Sequence, residues 1–102
     1  MSLRLVFMGT PDFAVPTLVE LVGGGHDVVA VYTRAPQPAG RRGLDLKPSA
    51  VALAAQERGL SIFTPGTLRE PDAADKIRTY DGDIAIVVAY GLILPKPILK
   101  AF

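Results

Sequence analysis

Gly9, Thr10, Pro11 and Asp12 follow one another at the end of an apolar run, placing a backbone turn, a hydroxyl and a carboxylate at one point of the chain. Far downstream a second apolar run breaks into Tyr90, Gly91, Leu92, Ile93 and Leu94. An apolar run that stops at a glycine reads as a buried strand handing over to a loop. In open α/β sheets the loops at the carboxyl ends of strands form the ligand crevice. A third group is basic: Arg34, Arg41, Arg42 and Lys47 fall between positions 34 and 47, with Asp45 as the one acid among them. That segment carries +3 of a chain whose net charge is +1, leaving −2 for everything else. Cations gathered on a loop suit a polyanion, because phosphate contacts dominate nucleic-acid affinity.

Bond-making chemistry is harder to find. There is no cysteine, hence no thiolate nucleophile, zinc-thiolate site or disulfide, which fits a reducing cytoplasm. His26, the single histidine, belongs to the turn before the second strand, at the end of the sheet opposite the crevice, and reads as a turn residue. Asp72, Asp75, Asp81 and Asp83 suit helix starts and turns. No metal-ligand spacing and no nucleophile-base pair is present, so the catalytic and metal sets are both empty.

The elements that must position these groups alternate. Residues 3–8 form a short strand ended by Gly9; Thr10 is placed to cap a helix, with Pro11 in its first turn and Asp12 at the positive end of its dipole. Val15, Leu18, Leu21 and Val22 share one helical face, Pro16 demands an irregular first turn, and Gly23, Gly24 and Gly25 end the helix. Residues 28–32 are a second strand, apolar throughout as befits a strand covered on both faces. The basic segment, 34–47, holds Pro36, Pro38, Gly40 and Gly43 without periodicity and is expected to be a long irregular loop, poorly packed in the absence of RNA. A helix over 49–58, a strand over 60–63, a helix from 71 or 72 to 80 with Ala73, Ile77 and Tyr80 inward, a strand over 84–88 and a helix opened by Pro95 and Pro97 complete the chain.

Strands alternating with helices predict an α/β fold, a Rossmann-like doubly wound sheet with parallel strand order 3-2-1-4 and Gly9 facing Gly91 across the crevice. With 102 residues the chain is one small domain or part of one, burying roughly 60 to 65% of its unfolded surface. The apolar stretch from 84 to 94 is too short for a membrane span of roughly 20 residues, and the amino terminus lacks a signal-peptide pattern. Both point to a soluble protein with no membrane partner. The first loop departs from the dinucleotide fingerprint, having one glycine, a proline that removes an N–H, and Thr33-Arg34 where an NAD enzyme places an acid. An NADP-dependent reductase fragment survives only through Arg34. A non-catalytic α/β RNA-binding module is the other alternative.

Three segments, FMGTPDFAVP from Phe7, PAGR from Pro38 and VVAYGLILP from Val87, resemble in order and separation the signatures of the methionyl-tRNA formyltransferases. The resemblance covers the whole chain. It implies the amino-terminal half of a formyltransferase catalytic domain, residues 1–102, with no second domain, from an enzyme that transfers a formyl group from 10-formyltetrahydrofolate to initiator Met-tRNA in the cytoplasm. By the same resemblance Tyr90, Gly91, Leu92, Ile93 and Leu94 form one wall of the folate pocket, while Arg41, Arg42 and Lys47 meet the acceptor stem. Many members continue after PAGR with a lysine-rich run, whereas this chain has Arg42-Gly43-Leu44-Asp45-Leu46. The family's catalytic Asn, His and Asp come after Phe102, so the chain alone is expected to be inactive. Its fourth strand is expected to be an apolar edge prone to self-association.

Overall fold

Residues 4–9 run from a solvent-exposed arginine into five buried positions, and this strand, β1 (Arg4–Gly9), is central to a parallel sheet. The computed structural model describes residues 2–39 and 45–102. After β1 come a 3-10 turn (Asp12–Ala14), α1 (Val15–Gly23), β2 (Asp27–Tyr32), β3 (Gln37–Ala39), β4 (Asp45–Lys47), α2 (Ala50–Glu57), β5 (Ile62–Phe63), α3 (Ala73–Arg78), β6 (Ile84–Val88) and α4 (Lys96–Leu99). The main sheet has the order β5-β2-β1-β6, all parallel, which is the expected 3-2-1-4 when its strands are counted along the chain.

The two faces have separate cores. Phe7, Leu18, Val28, Val31 and Val51 pack with small alanines of the 3-10 turn and α2 on one side. Val6, Met8, Tyr32, Ile77, Tyr90 and Ile98 pack on the other. One irregularity in pairing makes this division possible. Leu5 is opposite Val28 but Val6 is opposite Ala30, so β2 carries an extra residue there. The shift re-phases β2, sending both Val28 and Val31 to the α1/α2 core and Ala30 and Tyr32 to the other.

Local details depart from the sequence expectation for physical reasons. Thr10 caps nothing: the residue before the 3-10 turn is Pro11, and α1 begins only at Val15. Pro16 therefore lies in the first turn of α1, where its missing N–H has no intrahelical partner to lose. The third strand is only Ile62–Phe63, and α3 is Ala73–Arg78, with Ala74 and Ile77 buried while Ala73 and Tyr80 are half-buried against the same core.

The larger correction concerns the basic segment. Expected to be irregular throughout, it contains an antiparallel ribbon in which Gln37 pairs with Lys47, Pro38 with Leu46 and Ala39 with Asp45. A two-stranded ribbon has a free edge on each strand, so Pro38, which lacks a donor, is tolerated there. At the opposite end of the sheet, Arg4 secures the turn before β6: its backbone N–H donates to Asp83 Oδ2 at 2.8 Å and its guanidinium to the carbonyls of Asp81 and Tyr80. His26 lies at this same end, where its Nδ1 accepts the Leu3 N–H at 3.2 Å. Among the described residues no helix is long and apolar enough to cross a membrane.

Candidate functional site

Three strand ends converge at the carboxyl edge of the sheet. β1 delivers Gly9 and Thr10, β2 delivers Thr33 and Arg34, and β6 delivers the segment 89–94. Gly9 is required by crowding, since a Cβ there would lie 2.8 Å from the Phe7 ring and 2.9 Å from the Val88 carbonyl. It pairs with Val88, while Gly91 comes against Arg34 rather than Gly9.

Thr10 is the polar centre of this junction. Its hydroxyl donates to the Tyr90 carbonyl at 2.7 Å and accepts the Arg34 N–H at 3.3 Å, and its own carbonyl takes the Val51 N–H at 3.4 Å. One residue thus ties β1 to the loops after β2 and β6 and to the first turn of α2. Beside it, fully buried Thr33 shares a 2.6 Å hydrogen bond with Ser49, whose Oγ accepts from Ala52 N–H as the cap of α2.

After β6 the backbone takes an uncommon path. Ala89 has φ +51° and Gly91 has φ +95°, so two of three consecutive residues lie in the left-handed region. The resulting reversal separates the five residues expected to act as one wall. The Tyr90 ring points into the core, where its hydroxyl is buried without a hydrogen-bond partner among the described residues. Burial pushes that hydroxyl up to about 12, with the Arg34 charge pulling in the opposite direction. Tyr32 is raised still further, by burial first and then by Tyr80 beside it. Leu92 and Leu94 are half-buried against the same core, whereas Gly91 and Ile93 are exposed.

Two open clefts flank the junction, and Arg34 lines both. One, of about 370 Å³, is formed by Arg34, Thr67, Arg69, Gly91, Leu92 and Ile93. The other, of about 350 Å³, includes Thr10, Asp12, Arg34, Lys47 and Ser49. Arg34 also donates from Nη1 to the Gly91 carbonyl at 3.3 Å. In the first cleft the backbone N–H groups of Leu92 and Ile93 have no hydrogen-bond partner among the described residues. Donors unpaired among the described residues, beside aliphatic side chains, can meet the polar edge of a flat heterocycle. In the second cleft Lys47 and Arg34 offer positive charge beside the α2 amino terminus, an arrangement suited to phosphate. Arg41 and Arg42 lie outside the described residues. No group of three or more metal-ligating side chains occurs among the described residues.

Sequence reasoning missed Thr10 as a clasp and missed Thr67 and Arg69 altogether. Arg34 had a usable signal in its place directly after a buried strand. Arg69 and Thr67 had none, because they reach the cleft from a connection with no periodicity.

A profile of the formyl transferase family matches residues 3–102. Methionyl-tRNA formyltransferase of Methylobacterium sp. (strain 4-46) is 64% identical over 101 residues, which is 99% of this chain and 32% of the relative. The enzymes of that name from Methylobacterium nodulans and Bradyrhizobium diazoefficiens are 61% and 59% identical over the same shares. The chain spans about a third of the length of these curated relatives.

Proposed function

The chain belongs to the formyl transferase family, and we propose that residues 1–102 are the amino-terminal part of the catalytic domain of a cytoplasmic methionyl-tRNA formyltransferase. The whole enzyme transfers the formyl group of 10-formyltetrahydrofolate to the amino group of initiator Met-tRNA. The observation that carries the reading is the meeting of two unlike surfaces at one strand-end junction. A loop whose Leu92 and Ile93 N–H groups have no partner among the described residues, with aliphatic side chains beside them, lies on one side of Arg34, and a cleft lined by Lys47 and Asp12 lies on the other. Names of relatives at 59 to 64% identity support the same assignment.

In this reading Gly91, Leu92 and Ile93 face the donor's ring, with Tyr90 and Leu94 anchoring the two ends of that wall. Lys47, together with Arg41 and Arg42, meets the phosphates of the acceptor stem. The reaction is acyl transfer: the methionyl amine attacks the formyl carbon, and the tetrahedral intermediate collapses with tetrahydrofolate leaving. Such a step needs donors aimed at the developing oxyanion and a group to manage the amine's proton. The described residues present no side-chain set of that kind, so the 102-residue chain by itself is expected to be inactive.

The direct test is formation of formyl-Met-tRNA from Met-tRNA and 10-formyltetrahydrofolate. The full-length protein is expected to make it, and the 102-residue chain is not; product from the short chain above a no-protein control refutes the division of labour. In the full-length protein, replacing Arg41 and Arg42 by Ala is expected to weaken tRNA binding and lower its salt slope by about 2, with donor affinity nearly unchanged. A salt slope equal to that of the parent would make the pair ordinary solvated surface.

A further inference from the structure

We infer that Thr10 and Arg34 are positioning residues that hold the 90–94 loop against the end of β2, so that the proposed donor-binding wall and the proposed RNA-contacting ribbon are mechanically joined. Three observations carry this. The Thr10 hydroxyl both donates, to the Tyr90 carbonyl, and accepts, from the Arg34 N–H, bridging the loops after β6 and β2 with one atom. The loop it holds has left-handed backbone at Ala89 and Gly91, a path that must be fixed from outside because an alanine does not favour it. Arg34 then returns the contact, its Nη1 reaching the Gly91 carbonyl at 3.3 Å, at a position where a Cβ would come within 3.2 Å of that same nitrogen.

The sequence position of Arg34 gives the junction its consequence. Arg34 is three residues before β3, lines the clefts on both sides, and has its backbone on Thr10 and its side chain on Gly91. A polyanion that shifts the ribbon must therefore act on Gly91 through the same side chain. By linkage, whatever the RNA does to donor affinity the donor does equally to RNA affinity. The kinetic consequence rests on the proposed function; the positioning itself does not.

The test uses the full-length protein with Thr10→Val, which keeps the shape and loses the hydroxyl, Thr10→Ser, which keeps the hydroxyl, and Arg34→Ala. Limited chymotryptic cleavage after Tyr90 and Leu92 reads the opening of the loop directly. Thr10→Val is expected to speed it by roughly tenfold, with Thr10→Ser close to the parent. In steady-state kinetics Thr10→Val should raise KM for 10-formyltetrahydrofolate by roughly tenfold with a smaller change in KM for Met-tRNA. Arg34→Ala should abolish any effect of bound Met-tRNA on donor affinity, an effect expected to be about fivefold in the parent. Unchanged cleavage in Thr10→Val, equal loss in Val and Ser variants, or tRNA-donor coupling that survives Arg34→Ala would overturn the inference. Should Thr10→Val fail to fold, cleavage within residues 89–94 in Arg34→Ala decides the matter, with faster cleavage expected and an unchanged rate overturning the inference. If the parent makes no formyl-Met-tRNA, the functional reading fails while the cleavage result still settles the positioning.

Discussion

The two faces of the sheet are packed by different means. On the α1/α2 side the core is aliphatic apart from Phe7, and its buried link from Thr33 to Ser49 is closed by hydrogen bonds. The α3/α4 side is covered by helices of only six and four residues and adds an aromatic group to its aliphatic side chains, with Tyr32, Phe63 and Tyr80 at centroid separations of 5.1 to 6.4 Å. It also contains the Tyr90 hydroxyl, which has no partner among the described residues. The 89–94 loop is anchored in this second core, so the face adjoining the proposed donor site is the one with unspent stability. Sites that must bind are commonly drawn from the less stable end of a structure.

The contrast is broken most directly at Phe7, which is wholly buried. Phe7→Ala is expected to cost about 3–5 kcal/mol, a large fraction of the ~5–15 kcal/mol available to a domain, and a urea melt would show it. Loss below 1 kcal/mol would mean the aliphatic face is not the stronger one. Gly9→Ala comes next, at about 1–3 kcal/mol, because one of the two atoms it strikes is a backbone carbonyl of β6 that cannot swing aside.

On the other face the sign reverses. Tyr90→Phe removes a buried donor without a partner and is expected to stabilise by about 1 kcal/mol at neutral pH. It should also change the alkaline limb. Because the folded-state value is about 12 against 10 in the unfolded chain, Tyr90's contribution is intact below pH 10 and is lost as pH rises from 10 towards 12. Tyr90→Phe should flatten part of that decline in thermal melts, leaving the part due to Tyr32; an unchanged slope would place the Tyr90 hydroxyl in contact with water. Ala89→Gly, relieving a φ of +51°, should give the smallest gain, about 0.5–1 kcal/mol, and a loss would show that the surroundings demand the methyl group. At the sheet's β6 edge, Ile84 and Val87 are 42% and 47% exposed, so light scattering of the short chain is expected to show self-association. A monomer independent of dilution would contradict this.

Sheet order was legible because the apolar runs at 28–32 and 84–88 alternate with helical segments, which implies parallel pairing through right-handed crossovers, although β6 is covered less fully than its continuous run suggests. Proline and glycine marked most element ends. The ribbon of β3 and β4 was not legible, since Gln37-Pro38-Ala39 carries no alternation and Pro38 argues locally against pairing. Thr10 misled for a related reason: beside Pro11-Asp12 it has the composition of a helix cap, and its actual partner, the Tyr90 carbonyl, is 80 residues away. Tyr90 itself was placed with its neighbours on one wall, because nothing in the letters shows that Ala89 turns left-handed and sends the ring inward.

The central place of β1 has a consequence for the order of assembly. Leu5 pairs with Val28 on one side and with Ile84 on the other. Closing the second loop costs about 1 kcal/mol more chain entropy than closing the first, and β6 leaves the ribosome after β1, α1 and β2. The β1-α1-β2 unit can thus form while the rest is still being made, with its polar clasp Thr10 waiting for a carbonyl that arrives only with Tyr90. The β6 side of the crevice therefore forms after the β2 side, and the same ordering makes the β1–β6 seam the natural place for the crevice to open first.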